Sequence, residues 1–416
     1  MKQKTITFIL LFTASILHAQ NPPKVLFIGN SYTEVNNLPQ MIYDIAENMG
    51  DRMTFGSNTP GGCTFMQHCN NQSMSMIQEG GWDFVVLQEQ SQLPSFPQNQ
   101  VENEVFPYAQ RLVDSIYLHN PCAEPMFYMT WGRKNGDPQN AQYFPVLGSY
   151  EGMDSMLCER YTYMAEVNDA SLCPVGRVWR HLRTHYRDIE LYASDGSHPS
   201  TAGTYAAACA FYVMFFHRDP DSISFNGTLE ETTAQIIRNT VKSIVFDSLS
   251  HWQRPLPTAT LTAEIDSTTV FFTNNSLHAD RMTCDFGDGT SHILEDGEVA
   301  FSHTYADSGI YHVTFVASRH CMNDTLQQDI LIQFAHNNVN ITQTETPLQI
   351  YPNPTSSLLI VEAPSIQQIT LKDLSGHLLM TYTTRQIDLG HLPAGIYLIE
   401  VKAASGTSTH TVIKQP

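Results

Sequence analysis

The sequence predicts an α/β three-layer sandwich over roughly its first 250 residues, followed by two small all-β domains. Three features point to it. Short, wholly apolar runs alternate with helical stripes up to about residue 250, as expected of βαβ units whose parallel strands are covered on both faces. Around residues 251–257 the character changes, with Pro255 and Pro257 marking a linker and short alternating strands following. A second polar stretch, residues 337–346, precedes another set of short strands that runs to the C-terminus.

The elements follow in order. Lys2 and Lys4 precede an apolar stretch over residues 6–17 and then His18-Ala19-Gln20. A basic segment, a core too short to span a bilayer and a small residue at the exit predict a secretory signal peptide over 1–20. Asn21-Pro22-Pro23 then breaks the chain. Val25-Leu26-Phe27-Ile28 is the first strand. Pro39 suits the first turn of a helix whose stripe is Leu38, Met41, Ile42, Ile45, Ala46 and Met49, with Gly50 as the stop. Phe84-Val85-Val86-Leu87 and Met126-Phe127-Tyr128-Met129 repeat the strand signal around a helix near residues 105–118. Pro174-Val175-Gly176 ends a fifth strand. Residues 202–216 are the most apolar stretch left, and their length fits a buried core helix better than a membrane span. The domains are therefore expected at 21–250, 258–334 and 346–416, with no integral membrane segment.

Charge narrows the partners. The formal net charge is −19, and loss of Lys2 and Lys4 with a leader would make it −21. So acidic a chain repels nucleic acid and anionic membrane surfaces, which points to a soluble extracellular protein meeting neutral substrates. Eight cysteines in an exported chain suggest disulfides, six before residue 210 and two, Cys284 and Cys321, after it.

Two strings carry the chemistry. Gly29-Asn30-Ser31-Tyr32-Thr33 follows the first strand, and Asp195-Gly196-Ser197-His198-Pro199 precedes the apolar helix. A serine hydroxyl is a poor nucleophile until a base takes its proton, and the base works best when a carboxylate fixes its tautomer. Asp195 and His198 lie on one loop that could deliver both, while the end of a parallel strand is where α/β folds place ligands. Singly, Asp195 reads as a turn or capping residue and His198 as a surface histidine. With Ser31 they make a nucleophile, a base and its orienting acid. Around Asp195 and His198 no Cys/His cluster completes a metal site. Gly61-Gly62 is too little for a phosphate loop, so neither metal nor cofactor is expected.

Val25 to Thr33 resembles the first block of the SGNH (GDSL-like) hydrolases, with asparagine where aspartate is commoner, and Asp195-Gly196-Ser197-His198-Pro199 resembles their last block. The resemblance spans roughly residues 24–216. It implies a flavodoxin-like fold and ester hydrolysis, often on acylated carbohydrates, with Ser31 as nucleophile, His198 as base and Asp195 as its partner. It also implies an oxyanion hole made of the Ser31 backbone N–H, a glycine N–H and an asparagine side chain. Gly62, in Pro60-Gly61-Gly62-Cys63-Thr64, stands where that glycine belongs, with an ordinary turn as its plainer reading. In place of the family's Gly-x-Asn-Asp stands Gln88-Glu89-Gln90-Ser91. A glutamine amide can donate the same bond, so Gln88 is the expected third donor and Gln90 the runner-up. His68 is either a substrate contact or a plain helix-surface histidine.

Cys284-Asp285-Phe286-Gly287-Asp288-Gly289-Thr290, with His303-Thr304-Tyr305 and Gly309-Ile310-Tyr311-His312-Val313, resembles a PKD domain, an immunoglobulin-like sandwich. Cys284 stands where that family usually has tryptophan, and a Cys284–Cys321 bridge is expected in compensation. Asp285 and Asp288 suit a turn better than calcium. Ile350-Tyr351-Pro352-Asn353-Pro354, Leu371-Lys372-Asp373-Leu374-Ser375-Gly376 and Leu392-Pro393-Ala394-Gly395-Ile396-Tyr397 resemble the C-terminal sorting domain of type IX secretion substrates. That resemblance implies handling by the type IX machinery and a secreted or cell-surface location. The expected activity is a serine esterase acting on acetyl or other short acyl groups of a carbohydrate or small ester. An acyltransferase with the same triad and a non-catalytic adhesin are the alternatives.

Overall fold

β1 (Lys24–Ile28), β2 (Thr54–Asn58), β3 (Phe84–Leu87), β4 (Glu124–Tyr128) and β5 (Ser171–Cys173) form one parallel sheet in the order β2-β1-β3-β4-β5. The structure is a computed structural model that describes residues 22–295, 297–333, 348–363, 365–404 and 406–416. The expected signal peptide over 1–20 and the polar stretch 337–346 lie outside the described residues. β1, β3 and β4 bury every residue but their first, because helices cover both faces of the sheet. β2 has no comparable signal in the sequence: it is an edge strand whose residues are at least partly exposed, with Phe55 its one large apolar side chain.

The helices of eight or more residues are α1 (Leu38–Asn48), α2 (Gln72–Glu79), α3 (Phe106–His119), α4 (Tyr150–Val167), α5 (Val175–His185), α6 (Thr201–Phe216) and α7 (Glu231–Ile244). α1, α5, α6 and α7 share a core with Val25 and Phe27 on one face, while α2, α3 and α4 pack with Leu26 and Ile28 on the other. Successive residues of β1 thus point into opposite layers, as the pleat requires. Every residue of α6 from Ala202 to Phe215 is buried, which explains why the sequence shows no polar stripe there. Among the described residues no helix is long and apolar enough to cross a membrane. The strand order turns around at β1, which has β2 on one side and β3 on the other. The crevice beyond the carboxyl ends of β1 and β3 is the switch point where such sheets bind ligands, and Ser31 and Gln88 stand there.

The strands of the first β-sandwich are β6 (Leu261–Asp266), β7 (Thr269–Asn274), β8 (Arg281–Asp285), β9 (Ser291–Ile293), β10 (Ala300–Thr304), β11 (Gly309–Arg319) and β12 (Met322–Ile332). They form one sheet in the order β10-β7-β6 and another in the order β12-β11-β8-β9. Val270, Phe272, Cys284, Phe286, Tyr305 and Phe315 fill its core. Asp285 and Asp288 accept the backbone N–H groups of Gly287 and Thr290, each at 2.9 Å, and so form the turn.

The expected Cys284–Cys321 bridge does not form. Cys321 is joined to Cys122, just before β4, and this bond ties the sandwich to the α/β layer. The reason is register. Cys284 faces the core opposite Phe315, whereas Cys321 sits at the tip of the β11–β12 hairpin beyond Arg319. Four strand residues alone separate those levels by about 13 Å, about twice the reach of a disulfide. Cys284 instead stays a free core thiol, pushed up to about 12 by burial. Beside the bridge, His320 stacks on Tyr117 with ring centres 3.6 Å apart, and Arg319 lies 2.8 Å from Asp169.

Residues 348–416 belong to a second compact unit. β13 (Gln349–Tyr351), β14 (Leu358–Glu362) and β17 (Gln386–Asp388) make one antiparallel sheet, and β15 (Ile366–Lys372), β16 (Leu378–Tyr382), β18 (Gly395–Ala403) and β19 (Gly406–Lys414) the other. Leu359, Val361, Ile369, Ile399 and Val412 lie between them.

Candidate active site

Ser31 opens a single helical turn, Ser31–Glu34, directly off β1. Asn30 caps that turn, its Oδ1 accepting Tyr32 N–H at 3.1 Å. Its Nδ2 donates to Cys63 O at 3.0 Å, which ties the serine turn to the Gly61-Gly62 loop after β2. A Cβ on Gly29 would meet Gln88 Oε1 and Thr33 Oγ1, both at 2.7 Å, so only glycine fits between β1 and the end of β3.

The histidine arrives on the loop before α6. Asp195 Oδ1 accepts the backbone N–H groups of Ser197 at 2.9 Å and His198 at 3.0 Å, folding the loop on itself. Asp195 Oδ2 is 2.5 Å from His198 Nδ1, and His198 Nε2 is 2.9 Å from Ser31 Oγ. Burial pushes the Asp195 carboxyl up, but its bonds to His198 and to the backbone N–H groups outweigh it, holding the carboxyl below its usual range. It is therefore ionised and accepts a hydrogen bond from His198 Nδ1–H, the tautomer in which Nε2 faces the serine as acceptor. The His198 and Asp195 side chains are 33% and 48% exposed, so a substrate can reach them.

Two aromatic residues lock this loop to the serine turn. The Tyr32 hydroxyl is 2.8 Å from Ser197 Oγ, and Trp131 Nε1 donates to Ser197 O at 3.1 Å. Tyr32, Trp131 and Trp179 stack in a column, with ring centres 4.9 and 3.7 Å apart. Trp131 comes from the loop after β4, a segment with no recognisable pattern in the sequence. Arg133, from the same loop, stands near Tyr32. Burial pushes the Tyr32 hydroxyl up, and Ser197, Ser91 and Arg133 oppose it.

Three expected site residues have other surroundings. Gln88 is fully buried, its Oε1 accepting Asn30 N–H at 2.9 Å and Thr33 Oγ1 at 3.0 Å while its Nε2 donates to Glu89 O. It holds the serine turn from below instead of facing a substrate oxygen. Gln90, the runner-up, is half-buried. Its Oε1 accepts Gln92 and Leu93 N–H groups, and its Nε2 donates to Gln92 Oε1 at 3.2 Å, leaving one amide hydrogen without a partner among the described residues. His68 is fully buried and does not face substrate. Its Nε2 lies 2.8 Å from Gly29 O and its Nδ1 2.8 Å from Ser73 Oγ. A carbonyl only accepts, so Nε2 carries the proton, and burial lowers the ring's affinity for a second one. Gly62, in contrast, is exposed at φ +70°, in the left-handed region that favours glycine.

Glu89, unremarked in the sequence beyond its place behind an apolar strand, is fully buried. Its carboxyl accepts Phe65 N–H at 3.0 and 3.1 Å and Gln90 N–H at 2.5 Å, clamping the Phe65–His68 turn to the end of β3. Burial pushes it up to about 8, against those bonds. Among the described residues no group of three or more His, Cys, Asp or Glu is placed to hold a metal.

Residues 258–331 match the family model of the PKD domain, and residues 349–415 match that of the secretion system C-terminal sorting domain. The C-terminal match indicates type IX secretion. The sorting domain directs the chain to the cell surface or the outside. A DUF4886 family protein from Bacteroides uniformis is similar in structure at 18% identity, over 55% of this chain and 95% of that one, with a TM-score of 0.48. A candidate SGNH hydrolase from Slackia heliotrinireducens is similar at 26% identity, over 46% and 98%, with a TM-score of 0.39. A candidate GDSL-like lipase from Parabacteroides merdae is similar at 10% identity, over 47% and 95%, with a TM-score of 0.35. No curated protein matches the chain.

Proposed function

We propose that this secretion substrate is a serine esterase that removes short acyl groups, acetyl foremost, from a carbohydrate. One observation carries the reading: the unbroken run from Asp195 through His198 to Ser31, at 2.5 and 2.9 Å, on accessible loops at the carboxyl end of the sheet. Ser31 Oγ attacks the ester carbonyl carbon as its proton passes to His198 Nε2, and Asp195 stabilises the resulting imidazolium. The carbonyl oxygen takes the negative charge. The Ser31 backbone N–H, at the start of a helical turn, and the Gly62 N–H are the donors for it. The carbon–oxygen bond to the sugar then breaks, and His198 Nε2–H protonates the leaving alkoxide. Water, deprotonated by the same nitrogen, attacks the acyl-serine and releases the acid. A sugar hydroxyl in place of water would give acyl transfer, and the exposure of His198 favours water.

Ser31→Ala should lower turnover of a short-chain aryl ester by about 10⁴-fold or more, with the melting temperature within a few degrees of wild type. Turnover unchanged in a folded Ser31→Ala protein would end this reading.

A further inference from the structure

Beside the catalytic loop lies a cavity of about 460 Å³ that no step above uses. Leu191 and Tyr192 form part of its wall and lead directly into the Asp195–His198 loop. Lys134 forms another part, and its backbone N–H donates to Gly196 O at 2.8 Å, so cavity and catalytic loop share a wall. Lys134, Arg183 and Arg187 bring three cations to it against two carboxylates, Glu151 and Glu190. That local excess of positive charge runs against a chain of net charge −19, whose total predicts neutral substrates.

The cations differ in what holds them. Lys134 pairs with Glu190 at 2.5 Å, and nearby Arg180 pairs with Asp154, but neither carboxylate takes up Arg183 or Arg187. Arg183 is fixed by other means: its guanidinium lies 4.0 Å from the Tyr150 ring centre and 5.2 Å from that of Tyr192, and its Nη2 donates to Lys134 O at 3.2 Å. It is a positioned guanidinium with unused donors. Tyr150, also on the wall, is 5% exposed and turns its hydroxyl inward toward Asp154, so its ring and not its hydroxyl lines the cavity. Arg133, one residue before Lys134, adds a guanidinium beside Tyr32 with its Nε buried and unpartnered.

We propose that this cavity is the subsite for a carboxylate-bearing sugar, a uronate, of the acylated polysaccharide. This rests on the esterase reading and specifies its substrate class. Arg183 and Arg187 take the carboxylate, which matches the planar fork of a guanidinium. Glu151 and Glu190 take sugar hydroxyls, which donate to carboxylates. A neutral sugar would leave both guanidinium groups unpaired, and a dianionic phosphate would face the two glutamates.

Calorimetry with unacetylated trigalacturonate and a neutral trisaccharide, titrated into Ser31→Ala protein at low salt, reads binding without turnover. The uronate should bind at least tenfold tighter than the neutral sugar, and Arg183→Gln or Arg187→Gln should remove at least tenfold of that preference. Arg187 is exposed, so its variant carries the test if Arg183→Gln unfolds. Equal affinity for the two sugars, or a preference that survives both substitutions, would overturn the subsite. Wild-type protein inert to every ester would sink the esterase reading and leave the binding result standing.

Discussion

Gln88 and His68 show how much of this site is support. Each is fully buried, and each holds one side of the serine turn, His68 at the Gly29 carbonyl and Gln88 at the Asn30 N–H and Thr33 hydroxyl. Their chemistry, an amide and an imidazole, was legible as belonging to the site, but their direction was not, because two polar residues at a strand end look alike whether they face substrate or brace a loop. Gln88→Ala should therefore lower kcat about tenfold to a hundredfold and also destabilise the fold by about 1–3 kcal/mol, since it leaves buried donors without an acceptor. Kinetics and urea unfolding on the same variant check this. A loss of rate with stability intact would make Gln88 the oxyanion donor after all.

At the scale of elements, Glu89 joins the end of β3 to the Phe65–His68 turn, and with it the loop carrying Gly62. Its carboxyl is raised to about 8, so the folded protein keeps a proton there that the unfolded chain has released. The associated stability is present in full below the ordinary carboxyl range and is lost as pH rises through about 8, at no more than about 1.4 kcal/mol per pH unit. Urea midpoints between pH 6 and pH 9 should fall more steeply in wild type than in Glu89→Gln. Parallel profiles would show that Glu89 ionises freely. The elements themselves were readable wherever burial on both faces left a wholly apolar run, as in β1, β3 and β4, or a stripe, as in α1. β2 was not, because an edge strand packs one side at most and Thr54-Phe55-Gly56-Ser57-Asn58 carries too little apolar surface. The Tyr32-Trp131-Trp179 column was invisible for another reason: it joins three segments whose approach only the sheet order defines.

In the whole molecule, the PKD-like sandwich is bound covalently to the α/β layer through Cys122–Cys321, at the end of β4 opposite the catalytic loops. Pairing across 199 residues could not be read from cysteine positions, because it depends on which hairpin tip meets which strand end. The motif resemblance placed Cys284 in the right core and assigned it the wrong partner. Replacing both bridge cysteines by serine should destabilise residues 22–334 by about 2–4 kcal/mol, with turnover of a small aryl ester close to wild type. Equal denaturation midpoints for the two proteins would show that the bond does not hold the layers together.

The central claim is that Ser31 is made nucleophilic by His198. A fluorophosphonate probe tests this most directly, because it phosphonylates only an activated serine. After labelling, peptide mass mapping should find one adduct per chain, on the peptide containing Ser31, and none in His198→Ala. No adduct on wild type, an adduct on another residue, or labelling undiminished without the imidazole would contradict the account.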